Sequence, residues 1–170
     1  AHRRQRQMCI RDSRRGEWWL AAQLVLITAH LLPAWPSPAF WGIASWPVLL
    51  FCAGLLLLGL GLLMAIQSLI SLGTSLSPLP APKLFGHLVQ SGAYSHCRHP
   101  LYRALLLCSL GVVIATGSLL HLVLLLSLAA VLRRKARFEE RGLLHSHPEY
   151  SLYVASTPAI AAFVPGLDWR

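Results

Sequence analysis

Two groups of ionisable residues stand at the ends of apolar runs, where burying a charge needs a reason. The first is Gly92-Ala93-Tyr94-Ser95-His96-Cys97-Arg98-His99-Pro100-Leu101-Tyr102; the second is Arg133-Arg134-Lys135-Ala136-Arg137-Phe138-Glu139-Glu140-Arg141. Pro100 fits the first turn of a helix, where its missing N–H costs nothing and its fixed φ is already helical. The positive end of that helix suits a carboxylate or a phosphate, and Arg98 and His99 beside it would strengthen such a site. In the second group, Glu139 and Glu140 are the only acidic residues between Glu17 and Glu149. A carboxylate in a pocket at a membrane edge can take both hydroxyls of a ribose, and it favours a nearby sulfonium cation.

These groups meet only if the chain between them folds as a hairpin. Two apolar stretches lie there, joined at Gly117. His99 is 18 residues before that glycine and Lys135 is 18 after it, with Glu139 one helical turn further out. At about 1.5 Å of rise per residue, an antiparallel pair of helices brings the His-Pro segment and the two glutamates to the same depth.

The remaining elements follow from hydropathy. The chain is 170 residues long, 55% hydrophobic and 12% charged, which suits one membrane-embedded domain better than a water-soluble one. Apolar stretches run over residues 18–32, 46–72, 101–116 and 118–132, and the second carries no charge over a length sufficient to cross the bilayer. The expected fold is an all-α membrane bundle of about four transmembrane helices with a C-terminal cytosolic segment. Residues 16–72 supply the first two spans, and residues 73–170 hold the catalytic core. The turn Pro33-Ala34-Trp35-Pro36-Ser37-Pro38 breaks the helix between the first two. Lys and Arg gather at the N-terminus, in residues 73–100 and after Leu132, whereas the other two turns have none. An even number of spans with both termini cytoplasmic satisfies that distribution, and small size favours a bacterial inner membrane.

The formal charge of +9 does not point to nucleic acid. Removing residues 1–15, a basic N-terminal extension whose native origin is left open, takes away six of the fifteen Lys and Arg together with Asp12, leaving +4. No basic stripe interleaved with aromatics remains. Cys9, Cys52, Cys97 and Cys108 show no paired spacing, so no disulfide framework is expected. The first apolar run ends in Leu31-Leu32-Pro33, unlike a signal-peptide cleavage site. His30 and His121, at the ends of apolar stretches, are expected at the membrane interface.

The ordered motifs resemble the isoprenylcysteine carboxyl methyltransferase family, whose general plan phospholipid N-methyltransferases share. They are Leu88-Val89-x-Ser91-Gly92-x-Tyr94-x-x-x-Arg98-His99-Pro100-x-Tyr102, then Glu139-Glu140-x-x-Leu143, Glu149-Tyr150-x-x-Tyr153 and Pro165, and the resemblance covers residues 72–166. It implies S-adenosylmethionine as cofactor, held at the cytosolic ends of the last two helices, and a lipophilic substrate entering from the bilayer. It further implies that Gly86, His87, Leu88 and Val89 line the cofactor and that Tyr94 contacts it. His99, Pro100, Leu101 and Tyr102 then form its wall, Glu139 binds it with Glu140 alongside, and Lys135 stands where the family places a substrate-contacting Arg. Methyl transfer from a sulfonium is an in-line displacement, so no protein nucleophile is required and none is assigned.

The sequence departs from the family pattern in three places. Ala93 replaces a usual Pro, Arg103-Ala104 stands where a small Gly is common, and His147-Pro148 replaces Phe-Gly. Of these, Arg103 bears most on the substrate. Two other functions fit the scaffold: NADPH-dependent reduction of a lipophilic enone, and a membrane subunit without catalysis. His96, Cys97, His99, His145 and His147 form a zinc-capable set, but their spacing matches no standard site and no metal is expected.

Overall fold

The computed structural model describes residues 17–73 and 88–170. Among these residues the chain forms five α-helices and no β-strand: α1 (Glu17–Ala29), α2 (Val48–Leu72), α3 (Pro100–Thr116), α4 (Leu119–Ser146) and α5 (Tyr150–Ser156). Short 3-10 turns lie at Pro38–Trp41 and Gly92–Ser95. The all-helical class agrees with the sequence, but the lengths of the helices differ from expectation. Among the described residues, α2 is the one helix long and apolar enough to cross a membrane; α1 and α3 are apolar but shorter. α1 closes early because Pro33 restrains the residues before it, and residues 30–32 turn back onto Ile27, Thr28 and Ala29. α2 begins at Val48 because Pro47 occupies its N-cap. α4 is apolar only to Leu132 and continues as a charged helix.

α2 exposes most of its side chains, including Leu49, Leu56 and Ile70. Hydrocarbon is the surrounding that solvates such a surface at low cost. Its buried residues, Gly54, Gly61 and Ser68, recur every seven positions, and the two glycines lie against α3. A Cβ added to Gly61 would sit 2.6 Å from Cys108 Sγ and 2.9 Å from Cys108 N, and one on Gly54 would strike the backbone of Gly111 and Ala115. Small residues therefore set how closely these helices approach.

The hairpin closes at Gly117, whose φ of 59° is the left-handed conformation that ends a helix cheaply when no Cβ is present. The Trp46 ring lies over it, and the Trp46 indole N–H donates to the Ile114 carbonyl at 2.9 Å. Ser118 caps α4 and accepts from Trp35 N at 3.0 Å, while Leu120 N donates to the Trp35 carbonyl at 2.9 Å. The proline-rich turn is thereby tied to the hairpin.

His30 and His121 pack against each other, because the turn after α1 lays His30 across α3 and the start of α4. His121 is 1% exposed, and its ring lies edge-on to that of His30 with centroids 5.9 Å apart. His30 Nδ1 donates to the Leu26 carbonyl at 2.8 Å, and its Nε2 accepts from the Ser109 hydroxyl at 2.5 Å. His121 Nε2 lies 3.3 Å from the His30 carbonyl, whereas its Nδ1 is buried without a hydrogen-bond partner. At the opposite end of the bundle, Tyr102, Leu128, Leu132, Ala136 and Ile160 form a buried cluster packed by Leu26, Ile27, Leu167 and Trp169. That core lies beneath the second ionisable group.

The packing of α2 on α3 makes a position-specific prediction. Gly54→Ala or Gly61→Ala is expected to lower stability by about 1–3 kcal/mol through overpacking. Gly59→Ala, which meets open space, is expected to be neutral or stabilising by up to about 1 kcal/mol. Thermal unfolding of the three variants in detergent checks this, and equal behaviour would refute the close approach.

Candidate functional site

Arg98 and His99 are the last two residues before α3, and their backbone is pinned. Arg98 N donates to the Pro158 carbonyl and His99 N to the Ala159 carbonyl, each at 2.9 Å. The C-terminal segment thus passes directly beneath the start of α3. Pro100 occupies the first helical turn, as its chemistry demands, and is buried.

Arg98 is 3% exposed and its side chain is fully committed. Its Nε donates to Glu140 Oε1 at 2.8 Å and its Nη2 to Glu140 Oε2 at 3.4 Å. Nη1 donates to the carbonyls of Val154, at 2.9 Å, and Thr157; Nη2 also reaches the Trp169 carbonyl at 2.7 Å. It is therefore not available to an incoming anion, contrary to the reading of Arg98 as a helper at the helix start. Glu140, 5% exposed, takes two further donors: His99 Nε2 at 2.9 Å and the Trp169 indole N–H at 2.6 Å. A carboxylate has about four acceptor positions, and these four contacts fill them. Burial opposes its ionisation, but the hydrogen bonds from His99, Arg98 and Trp169 prevail and hold its pKa at about 2.

Glu139 is one residue further on, about 100° round the same helix, and its surroundings differ. The Tyr102 hydroxyl lies 2.7 and 2.8 Å from its two oxygens, and His99 Nδ1 lies 3.8 Å away. The Tyr102 and His99 rings stack with centroids 5.2 Å apart and only 3° between their planes. Its side chain keeps 21% exposure and unused acceptor positions. Burial raises the Glu139 pKa, against the opposing pull of His99, Tyr102 and Lys135. A partly exposed carboxylate with unused acceptor positions is a site for a cation or for hydroxyl donors.

Other residues singled out in the sequence group around this pair unevenly. Lys135 Nζ donates to Gln23 of α1 at 2.8 Å and lies 5.3 Å from the centre of the Tyr102 ring. Tyr94 is within electrostatic reach of Glu139; burial, then that carboxylate, push its phenol up to about 12. The Tyr153 hydroxyl donates to the Tyr94 carbonyl and fixes the 3-10 turn. Leu88 and Val89 are half-buried in the irregular segment before that turn, Leu101 is half-buried on α3, and Gly86 and His87 fall outside the described residues. Trp169 and Gln23 were not legible as partners, since neither lies near the motifs in sequence. Among the described residues no group of three or more His, Cys, Asp or Glu is placed to hold a metal ion.

A family model for phospholipid methyltransferases matches residues 49–149, from the start of α2 to the approach of α5. The chain belongs to the phospholipid methyltransferase family. The family resemblance carried by the His-Pro and Glu-Glu motifs is thereby borne out, and the His99, Tyr102 and Glu139 constellation belongs to a methyltransferase scaffold. Over 82 residues the chain is 44% identical to the cobalt-zinc-cadmium resistance protein CzcN of Cupriavidus metallidurans, a match covering 48% of this chain. The chain spans 37% of that relative's length. No solved structure matches the chain.

The commitment of Glu140 predicts a cost and a pH dependence. Glu140→Gln leaves Arg98 buried without its counter-charge and is expected to cost about 3–5 kcal/mol. A carboxylate held at about 2 against its usual 4.5 contributes fully above pH 4.5 and loses that contribution as pH falls toward 2. Glu139, held high, has the opposite sign, because protonation relieves its buried charge. Thermal midpoints measured between about pH 5 and 2.5 should fall more steeply for the natural chain than for Glu140→Gln; parallel curves would contradict the pairing.

Proposed function

We propose that this chain transfers a methyl group from S-adenosylmethionine to a lipophilic small-molecule or lipid-linked acceptor at the cytoplasmic membrane face. The observation that carries the reading is the division of labour between adjacent glutamates. Glu140 is saturated by Arg98, His99 and Trp169, whereas Glu139 retains open acceptor positions and a charge that burial leaves undercompensated. That donor-hungry carboxylate fits a ligand bearing both ribose hydroxyls and a positive sulfur.

When bound, S-adenosylmethionine supplies a methyl group on a sulfonium leaving group. Glu139 would hold the cofactor, with Tyr102 fixing the carboxylate and the stacked His99 ring fixing Tyr102. Tyr94, Pro100, Leu101, Leu88 and Val89 would complete the wall, together with Gly86 and His87. Lys135 stands beside Tyr102 on the side proposed for substrate. The acceptor brings its own lone pair, so the chain's task is to orient the two partners and keep water out. The charge distribution supports four passes with both termini cytoplasmic, and a relative from a bacterium supports an inner membrane.

Titration of labelled S-adenosylmethionine onto the detergent-purified chain tests the assignment. Binding should weaken at least tenfold in Glu139→Gln, while its thermal midpoint falls far less than that of Glu140→Gln. Unchanged binding in a folded Glu139→Gln would exclude Glu139 as the cofactor's carboxylate.

A further inference from the structure

The segment after α5 closes on itself as a loop. Ile160 N donates to the Leu167 carbonyl at 3.0 Å and Ala161 N to the same oxygen at 3.3 Å, while Leu167 N and Asp168 N turn back to the Val164 carbonyl at 3.0 and 3.2 Å. The base of the loop is enclosed, with Ala159 and Ile160 fully buried and Ile160 sharing its cluster with Leu128 and Leu132 of α4. The tip is the reverse. Phe163, Val164 and Pro165 are consecutive apolar residues, all exposed, and Phe163 is 91% exposed. Its φ of 63° lies in the left-handed region, which a bulky side chain adopts at a cost. A hydrogen-bonded turn therefore holds an aromatic ring outward, with the Arg170 guanidinium 5.9 Å from its centre.

The depth of this tip is set by α4. Leu132 ends the apolar stretch of that helix and Arg133 follows it, so a bilayer boundary passes at this level. Gly166 lies against Arg133: a Cβ added there would sit 3.3 Å from Nη1 and 3.5 Å from Cζ. The loop therefore meets α4 where the helix leaves its apolar stretch. Charge at this level is one-sided. Asp168 is the only acidic residue after Glu149, and it pairs with Arg170 at 2.7 Å. Among the described residues Arg133 and Arg134 form no ion pair. Arg133 Nε is buried without a hydrogen-bond partner, and Arg134 is exposed. An apolar tip beside unpaired guanidinium groups is the complement of a leaflet surface, where acyl chains give way to phosphates.

We propose that residues 161–167 are an interfacial anchor for an anionic leaflet. Phe163 and Val164 enter the boundary between head groups and acyl chains, and Arg133, with Arg134, holds the phosphate of an anionic phospholipid. Both ends of the loop run into the Arg98–Glu140 pair: the Pro158 and Ala159 carbonyls accept from Arg98 N and His99 N, and Trp169 donates to Glu140. A leaflet that seats the loop therefore steadies the segment that holds those residues. The lipid is a neighbour of the fold and not the methyl acceptor, so the anchor does not depend on the methyltransferase reading.

The full chain is reconstituted in nanodiscs of phosphatidylcholine alone or mixed with phosphatidylglycerol. In a chain carrying Cys9→Ala, Cys52→Ala, Cys97→Ala and Cys108→Ala, bimane is attached through Phe163→Cys or, for comparison, through His145→Cys, about 20 Å beyond Leu132 along α4. The label at 163 should be quenched by brominated acyl chains and be at least threefold less open to acrylamide than the label at 145. Equal access to acrylamide at both positions, or no quenching by brominated lipid at 163, would overturn insertion of the tip. Without any label, phosphatidylglycerol should raise the thermal midpoint of the natural chain by about 2–4 °C. Arg133→Gln should lose most of that rise, and Arg141→Gln, two turns further out, should keep it. No rise in the natural chain, or equal losses in the two variants, would overturn the anionic lipid site. Because each variant is compared with itself in the two lipids, any change in its basal stability cancels.

Discussion

The buried pair of Arg98 and Glu140 is the constraint on which the rest of this structure depends. Two opposite charges are taken out of water together, and each is satisfied only because four separate pieces of chain converge on them. Arg98 stands at the start of α3 and Glu140 on the charged half of α4, while Val154 and Thr157 lie on and just after α5 and Trp169 near the end of the described segment. Breaking any one of these contacts would leave a buried polar group unpaired, which costs more than the hydrogen bond itself contributes. The pair therefore works as a lock on register: it fixes how far α4 has slid along α3 and closes the C-terminal segment beneath both.

Everything at the candidate site follows from that lock. With Glu140 turned inward, the helical repeat carries Glu139 about a quarter-turn away, toward Tyr102 and the partly open edge. His99 serves both residues, donating to Glu140 and stacking on the tyrosine that holds Glu139. Small residues between α2 and α3 place the backbone of the third helix close to the second.

Much of this was legible in the sequence because it rests on local chemistry. Pro100 marked a helix start and Gly117 a left-handed stop, and equal counts on either side of Gly117 placed His99 opposite Lys135, one helical turn from the Glu pair. The family match, which also takes in α2, was legible in the order and spacing of the motifs. What could not be read was which glutamate does what. Adjacent residues on a helix face different neighbours, and the neighbours that decide the matter include Trp169, 29 positions from Glu140. Arg98 looked available because its consumers are mostly backbone carbonyls, which leave no mark in a sequence. Helix lengths shifted where Pro33 and Pro47 restrict their neighbours.

The most direct measurement is cofactor discrimination by the natural chain, comparing its thermal midpoint in detergent with S-adenosylmethionine and with NADPH at matched concentrations. Ligand bound only to the folded state stabilises it by about 2.7 kcal/mol at a hundred times its dissociation constant, an effect visible as an upward shift. A methyltransferase site built around Glu139 predicts that S-adenosylmethionine raises the midpoint and NADPH leaves it in place. A shift with NADPH and none with S-adenosylmethionine would contradict it.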